Sequence, residues 1–187
     1  MTVEETTIQD LKVLIPKAYV DSRGYFFEAY NELEMQKLGL AYSFVQDNQS
    51  QSTYGVNRGL HFQKPPYAQA KLVRVLQGEI LDVAVDIRKN SPTYGAYFSI
   101  LLSAENKKQL LIPAGFAHGF SVLSPMAEVL YKCDNYYHPE CDAGILFSDS
   151  KLAIDWRMEI ESIIVSPKDA ALGSLADLDS PFTDKVF

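Results

Sequence analysis

The middle of the chain consists of short strand-like segments separated by turn residues, and this pattern restricts the chain to an all-β architecture. Residues 81–87 alternate apolar with polar or small side chains, the period of two that predicts a half-buried strand. Residues 72–76 predict a second strand, and Gln77-Gly78 between the two supplies turn chemistry. Further short strands are predicted at residues 97–102, 109–112, 119–123 and 127–132. Strands this short at this spacing are typical of a β-sandwich or barrel.

Helices are predicted only at the periphery. Asn31 can cap a short helix that has Glu34 at its third position and ends at Gly39. The sequence Ser-Pro-Lys-Asp at residues 166–169 predicts another helix start, with a capping serine and a proline at the first helical position. Because no repeat or linker interrupts the chain, we interpret residues 1–187 as one domain. We expect a β-core at about residues 20–165 and a C-terminal helical segment at about residues 166–187.

Composition and charge exclude several classes of protein. The net charge is −7 and the pI is about 4.9, values that argue against a basic surface for nucleic acid. The acidic N-terminus has no apolar core, and no apolar run approaches the roughly 20 residues of a membrane span. Cys133 and Cys141 are too few for a disulfide framework and are interpreted as free thiols in a reducing compartment. We therefore expect a cytoplasmic protein that binds neither nucleic acid nor membrane.

Three histidines are candidates for catalysis or metal binding. His61 lies beside an arginine and a glycine, and His118 ends a Pro-x-Gly-x-x-His sequence. His138, in a tyrosine-rich turn, is interpreted as a structural or surface residue. Pro-x-Gly-x-x-His resembles half of the cupin signature, but the other half needs a His-x-His pair, and Phe-Gln follows His61. Two histidines and a carboxylate remain a formal ligand set; we nevertheless expect no metal.

Several motifs together resemble the dTDP-4-dehydrorhamnose 3,5-epimerase family in order and spacing. They are DSRGYFFE at residues 21–28, QDNQS at 46–50, RGLHFQ at 58–63, PAGFAHGF at 113–120, YK at 131–132, YY at 136–137 and SPKD at 166–169. The resemblance implies a cupin-like jelly-roll β-barrel or sandwich with a few short peripheral helices. It also implies a homodimer with its active site inside the barrel, which uses no cofactor and no metal. The implied reaction inverts C3 and C5 of a dTDP-linked 4-keto-6-deoxy sugar, on the route to dTDP-L-rhamnose.

Epimerisation beside a ketone requires a base, a group that orients it, a partner for the enolate oxygen and an acid on the opposite face. The resemblance implies that His61 is the base and that Asp169 fixes its tautomer and stabilises the imidazolium. It further implies that Lys71 lies beside the C4 oxygen and that Tyr131, protonated at neutral pH, donates from the far side.

Each assignment has a structural alternative. Asp169 lies three residues after Ser166 and could serve only as a helix cap. Tyr131 lies on an apolar strand and would ordinarily belong to the core, and Lys71 would ordinarily be a solvated flank. Their positions within the family pattern favour the catalytic interpretation.

A nucleotide diphosphate needs local cations in so acidic a chain. The resemblance points to Arg23, Arg58 and Lys168 for the phosphates. Two rings are expected to stack on the thymine, those of Phe26 and Tyr137. The polar side chains expected to hydrogen-bond base or sugar are Glu28, Gln46, Asp47 and Asn48, and His118 is expected to contact the ligand or line the pocket.

One position departs from the family pattern. The family usually carries Glu and then Arg between Pro-Glu-x and Gly-Ile, where this chain has Asp142 and Ala143. Asp142 is also a predicted substrate contact, but its side chain is one methylene shorter than glutamate. We therefore expect a change at the nucleotide end of the site and none among the proton-transfer groups.

Three alternative functions stay open. The first is an enzyme that epimerises only C3 or only C5 in a related deoxysugar pathway. The second is a metal-dependent cupin enzyme, which would carry bound metal after purification. The third is a non-catalytic sugar-nucleotide binding module, in which His61 or Tyr131 would lie out of reach of C3 and C5.

Overall fold

The computed structural model describes residues 1–183, and β-strands dominate it. The strands are β1 (Thr2–Glu5), β2 (Lys12–Ile15), β3 (Tyr19–Asp21), β4 (Gly24–Phe26), β5 (Gln46–Thr53), β6 (Asn57–Gln63), β7 (Lys71–Gln77), β8 (Glu79–Asp86), β9 (Tyr97–Ser103), β10 (Gln109–Ile112), β11 (Phe116–Val122), β12 (Met126–Cys133) and β13 (Asp142–Gly144). The α-helices are α1 (Glu32–Lys37) and α2 (Pro167–Ala170), with 3-10 turns at Pro139–Cys141, Ile160–Ser162 and Leu175–Asp177. Within residues 1–183, no helix has the length and apolar character to cross a membrane.

Two antiparallel sheets form a jelly-roll sandwich. The six-stranded sheet has the order β1-β2-β10-β7-β12-β5, and the five-stranded sheet has the order β13-β6-β11-β8-β9. β3 and β4 pair only with each other, as a separate hairpin. The all-β jelly-roll prediction is confirmed, and the predicted strands in residues 72–132 correspond to β7 to β12, although β11 begins at Phe116 rather than at the expected residue 119. β1 and β2 belong to the six-stranded sheet, which therefore begins earlier in the chain than the expected start near residue 20.

The main core lies between the two sheets. Val73 and Leu110 project from the six-stranded sheet, and Ala84, Phe116 and Phe120 project from the five-stranded sheet. All five are buried, in one continuous apolar cluster. Because burial of apolar side chains contributes about 25 cal/mol per Å², this layer is a principal source of stability.

A second apolar layer covers the opposite face of the five-stranded sheet. Residues 145–182 fold over this face, and Phe147 and Trp156 pack with Leu81 and Val83. The Trp156 indole N–H donates to the Phe147 carbonyl at 2.9 Å. Strand β8 is therefore buried on both faces. One face packs on the six-stranded sheet, and the other packs on residues 145–182. The expectation of a half-buried strand was wrong, because the alternating acids Asp82 and Asp86 are also fully buried.

The helices lie at the edge of the sandwich, as expected. Asn31 caps α1 by accepting from the backbone N–H groups of Leu33 and Glu34, and Met35 packs on the outer face of the six-stranded sheet. α2 is a single turn, and the only other helical element after it in the described residues is the 3-10 turn Leu175–Asp177. The expected C-terminal helical segment is thus mostly irregular chain up to residue 183, and its residues 184–187 lie outside the described part.

One buried amide stands out in the second apolar layer. Asn57 is 1% exposed, and neither its Oδ1 nor its Nδ2 has a hydrogen-bond partner among residues 1–183. Its register partner on β11 is Ser121, whose hydroxyl donates to the Trp156 carbonyl. Residues directly opposite in an antiparallel pair point to the same face, so the amide lies on the covered side of the sheet. An unsatisfied buried polar group costs about 1–3 kcal/mol.

We predict that Asn57→Leu stabilises the protein, because leucine fills a similar volume without an unpaired donor and acceptor. Urea unfolding should show a rise of about 1 kcal/mol in the free energy of unfolding with an unchanged m-value. Asn106→Leu is the matched control: its amide accepts from Ser103 and Lys108 and donates to Leu101, so this change should destabilise. Destabilisation by Asn57→Leu would contradict the assignment.

Candidate active site

A cavity of about 490 Å³ lies at one end of the space between the sheets. Strands from both sheets and residues 164–169 contribute to its walls. All four residues that the sequence assigns to proton transfer line this cavity, as does the expected pocket histidine: His61, Lys71, Tyr131, Asp169 and His118.

Strand register explains why these side chains meet. Tyr131 on β12 pairs with Val73 on β7, two residues after Lys71, so Lys71 and Tyr131 share one face of the six-stranded sheet. Opposite them, His61 on β6 pairs with His118 on β11. The two sheets therefore present two residues each to the same space.

Glycine is required where β6 and β11 approach one another. Gly59 has φ +135°, and a Cβ atom there would lie 2.5 Å from the Gly119 Cα. Only a residue without a side chain fits both the backbone angle and the contact. His61 lies two residues after Gly59, and His118 lies one residue before Gly119. The close approach of the two glycines therefore sets the spacing between the two histidines.

His61 and Asp169 form a hydrogen-bonded pair. The distance from His61 Nε2 to Asp169 Oδ1 is 2.7 Å, and Asp169 is 5% exposed. The cap of α2 is Ser166, whose hydroxyl accepts the Asp169 backbone N–H at 3.0 Å. The Asp169 carboxylate is therefore directed to the histidine rather than used as the cap. A proton held on Nε2 leaves the Nδ1 lone pair as the basic atom.

Burial sets the protonation states of the site. It lowers the pKa of His61, although the Asp169 carboxylate acts in the opposite direction. Burial raises the pKa of Tyr131 and lowers the pKa of Lys71. The site therefore holds a neutral imidazole and a protonated phenol near pH 7.

Lys71 and Tyr131 have no internal hydrogen-bonding role. The Lys71 Nζ lies 5.9 Å from the centre of the Tyr131 ring. Within the described residues, neither this ammonium nor the Tyr131 hydroxyl forms a hydrogen bond. Both side chains are half-buried and line the two cavities, so their polar groups are available to a ligand.

A second histidine–carboxylate pair lies beside the first. His118 Nε2 is 2.7 Å from Asp82 Oδ1, and both side chains are buried. Sequence reasoning missed Asp82, because an acid alternating with apolar residues was interpreted as the solvent side of the strand. The signal that could have found Asp82 is its place on β8, the strand that pairs with the His118 strand β11.

A smaller cavity of about 210 Å³ adjoins the first and shares His61, Lys71, Tyr131 and Lys168 with it. The remaining predicted contacts that line it are Gln46, Asn48, Tyr137 and Asp142.

Gln46 and Asn48, two of these predicted ligand contacts, are hydrogen-bonded to each other. The Gln46 carbonyl oxygen accepts the Tyr137 backbone N–H at 3.0 Å, and its amide donates to Asn48 Oδ1 at 3.0 Å. These side chains therefore hold the loop that carries the Tyr137 ring. Their polar groups are at least partly used within the protein.

The predicted phosphate cations separate into two groups. Arg58 lines the larger cavity and donates to Ser52 Oγ at 3.0 Å, and Lys168 lines both cavities and donates to Asp142. Arg23 lies on the exposed β3–β4 hairpin and pairs with Asp21.

Four predicted contacts do not reach either cavity within one chain. Arg23, Phe26 and Glu28 lie on or directly after the β3–β4 hairpin, and Phe26 is 70% exposed. Asp47 is exposed on the opposite face of β5 from Gln46 and Asn48, where it pairs with Lys132 at 2.9 Å. The side-chain alternation of a strand places Asp47 on that face.

The other sequence interpretations also have structural counterparts. His138 stacks on Tyr67 and hydrogen-bonds Glu140, outside both cavities. Cys133 and Cys141 are unpaired, as expected. Among residues 1–183, no group of three or more His, Cys, Asp or Glu side chains is arranged to hold a metal ion.

The fold is a cupin-like jelly roll, and its cavity is lined by histidine, lysine, tyrosine and aspartate side chains. Residues 5–177 match the family model of dTDP-4-dehydrorhamnose 3,5-epimerase. The chain belongs to this family, a family of carbohydrate isomerases, and the sequence-based prediction of the family is confirmed.

Known proteins support this membership. The dTDP-4-dehydrorhamnose 3,5-epimerase of Escherichia coli (strain K12) is 52% identical over 95% of this chain and 96% of that protein. The crystal structure of dTDP-6-deoxy-D-glucose-3,5-epimerase from Legionella pneumophila, in complex with dTDP-4-keto-L-rhamnose, has a TM-score of 0.91 at 50% identity, with 95% and 94% of the two chains covered. A 3'-monoepimerase from Streptomyces bikiniensis, in complex with dTDP-quinovose, has a TM-score of 0.86 at 30% identity, with 91% and 86% covered.

We predict that His61 titrates below the ordinary histidine pKa of about 6.5, because burial disfavours the imidazolium. In Asp169→Asn the pKa of His61 should fall further, since the carboxylate that raises it is removed. NMR of 15N-histidine-labelled protein as a function of pH measures both values. An unchanged or higher pKa in Asp169→Asn would show that the two groups are not coupled.

Proposed function

We propose that this chain converts dTDP-4-keto-6-deoxy-D-glucose to dTDP-4-keto-L-rhamnose by inverting C3 and C5, as a dTDP-4-dehydrorhamnose 3,5-epimerase of dTDP-L-rhamnose biosynthesis. The observation that carries the proposal is the His61–Asp169 pair facing the same cavity as Lys71 and Tyr131. The identity and coverage of the relatives that bear this name add to it.

In the proposed mechanism, His61 Nδ1 removes the proton from the carbon beside the ketone. The electron pair of that C–H bond moves to the C4 oxygen, where the Lys71 ammonium stabilises the enolate. The Tyr131 hydroxyl then delivers a proton to the opposite face of the same carbon, and the carbonyl re-forms. Asp169 holds the imidazole in the reactive tautomer and stabilises its protonated form. Proton exchange with solvent then returns His61 to the neutral imidazole and Tyr131 to the protonated phenol, and repetition at the second carbon completes the inversion.

The nucleotide would lie along the two adjoining cavities. Arg58 and Lys168 are the cations placed to meet the diphosphate, and the half-exposed Tyr137 ring is placed to stack on the thymine. His118, held by Asp82, is placed to donate to or accept from the sugar. The internal hydrogen bonds of Gln46 and Asn48 make them supports for Tyr137 in this arrangement.

The proposed functional unit is a homodimer. On the β3–β4 hairpin, Tyr19, Val20, Tyr25 and Phe26 are 58%, 78%, 59% and 70% exposed. Tyr19 and Phe26 share one face of the hairpin, and Val20 and Tyr25 share the other. Exposed apolar side chains on both faces of a separate hairpin are available for an interface. In the proposed dimer, the hairpin residues predicted to bind substrate, Arg23, Phe26 and Glu28, contribute to the cavity of the partner. Unpaired Cys133 and Cys141 are consistent with a cytoplasmic location.

The test is incubation with dTDP-4-keto-6-deoxyglucose in deuterated water, with the label located by NMR. The proposal predicts deuterium at both C3 and C5 and a product of L-rhamno configuration. Label and inversion at C3 alone would instead support the activity of the similar 3'-monoepimerase. Exchange at neither carbon would contradict an epimerase acting on this sugar.

The same assay separates the two proton-transfer residues. His61→Ala should lose exchange at both carbons, because no other base is proposed. Tyr131→Phe should retain more exchange than net inversion, since the base face is intact and the opposite face lacks its acid. Wild-type turnover in His61→Ala, or equal losses of exchange and inversion in Tyr131→Phe, would overturn the respective role.

A further inference from the structure

The carboxylate of Asp142 is bound by two donors from different parts of the chain. The Lys168 ammonium donates to Asp142 Oδ2, and the Tyr137 hydroxyl lies 3.2 Å from the same oxygen. The side chain of Asp142 is 14% exposed, whereas that of Lys168 is 60% exposed. The three residues link the start of β13 to the start of α2, and we call them the Asp142 clasp.

The clasp lies where the two cavities meet. Asp142, Tyr137 and Lys168 line the smaller cavity, and Lys168 lines the larger one as well. Lys168 also directly precedes Asp169, the partner of His61. A charged ligand that passes from one cavity to the other therefore meets the clasp.

The two cations that face these cavities differ in their partners. Arg58 donates to the uncharged oxygens of Ser52 and Gln51, so its charge has no carboxylate against it in the described residues. Lys168, in contrast, is already paired with a carboxylate inside the protein, and this pairing raises its pKa. Burial lowers the pKa of His61 and Lys71 and raises that of Tyr131, and the Asp142 charge acts on all three in the upward direction.

We propose that Asp142 competes with the ligand's phosphate groups for the Lys168 ammonium, so that a diphosphate must displace the carboxylate to bind there. Asp142 is thus a determinant of affinity for the anionic part of a nucleoside diphosphate. This inference rests on the proposed function for the choice of ligand. Its geometric basis is the clasp itself, which places one carboxylate on the cation nearest the junction of the cavities.

The physical reason is electrostatic repulsion between the ligand's phosphate and the Asp142 carboxylate. A phosphate that approaches Lys168 also approaches the Asp142 carboxylate, and both anions require the same ammonium. Asp142→Asn keeps the size of the side chain and an oxygen that can accept from Tyr137, but it removes the negative charge. The variant should therefore release Lys168 to the ligand without emptying the space.

The experiment compares the binding of dTDP and of inorganic pyrophosphate to the full-length protein by calorimetry at low ionic strength, where charge effects are least screened. Asp142→Asn should bind both probes about 3- to 10-fold more tightly than the wild type. Lys168→Gln should weaken binding more in the Asp142→Asn background than in the wild type, because Lys168 is occupied only when the carboxylate is present.

Glu140→Gln is the matched control for loss of one negative charge. Glu140 lies two residues from Asp142, is 66% exposed and pairs with His138 outside the cavities. This variant should leave both affinities within twofold of the wild type. Equal tightening by Glu140→Gln, or unchanged or weaker binding by Asp142→Asn, would overturn the proposal.

The outcomes also separate this inference from the proposed function. If Asp142→Asn tightens pyrophosphate but no variant binds dTDP, the competition stands and the nucleotide assignment fails. If dTDP binds the wild type and Asp142→Asn equally, the assignment stands and the competition is overturned.

Discussion

The covering of the five-stranded sheet on both faces is the constraint on which the rest of the structure depends. One face packs on the six-stranded sheet, and the other would be an exposed apolar surface without residues 145–182. Those residues must therefore wrap around the edge of the sheet at β6 and β13. The same path brings Ser166 and the one-turn helix α2 against the cavity, where Asp169 meets His61. Burial of an apolar face and assembly of the His61–Asp169 pair are thus two results of one chain path.

The sandwich interior combines a close-packed core with polar groups that packing alone would not select. The two histidine–carboxylate pairs give the buried Asp169 and Asp82 carboxylates a hydrogen-bond partner each, as buried polar groups require. Lys71 and Tyr131 are left without internal partners, and Asp82 Oδ2 is buried and unpaired in the described residues. Local departures from full satisfaction of this kind are typical of functional sites. The cavity is therefore prepared electrostatically for a polar ligand.

The sequence predicts this fold well where hydrophobic alternation is strong. β8 follows from its alternation of apolar residues with polar or small ones, and its neighbours follow from short apolar runs bounded by turn residues. β5 was not predicted as a strand, since its residues 46–53 are all polar and only tertiary pairing with β12 makes it a strand. The burial of Asp82 could not be derived from alternation, because alternation does not show that the polar face of β8 packs toward the six-stranded sheet. The apolar face of β8, which carries Leu81 and Val83, is the one that residues 145–182 cover.

The part of the site that was predicted came from family motifs and not from local sequence patterns. His61, Lys71, Tyr131 and Asp169 come from distant positions, and no local pattern brings them together; the family motifs do. The same motifs also indicated Arg23, Phe26 and Glu28, which lie away from the cavity in one chain. A motif carries no information about which copy of a chain supplies a residue. The pairing of Asp142 with Lys168 depends on side-chain reach across β13 and α2, and it required the structure.

The central claim is that the chain path over the sheet delivers Asp169 as a working partner of the base. The most direct test is the steady-state kinetics of Asp169→Asn with dTDP-4-keto-6-deoxyglucose, together with its affinity for dTDP. The account predicts a fall in kcat of about 100-fold or more, because the imidazole loses the group that fixes its tautomer, with dTDP affinity within about threefold of the wild type. A wild-type kcat in Asp169→Asn would contradict the account and leave the carboxylate a purely structural residue.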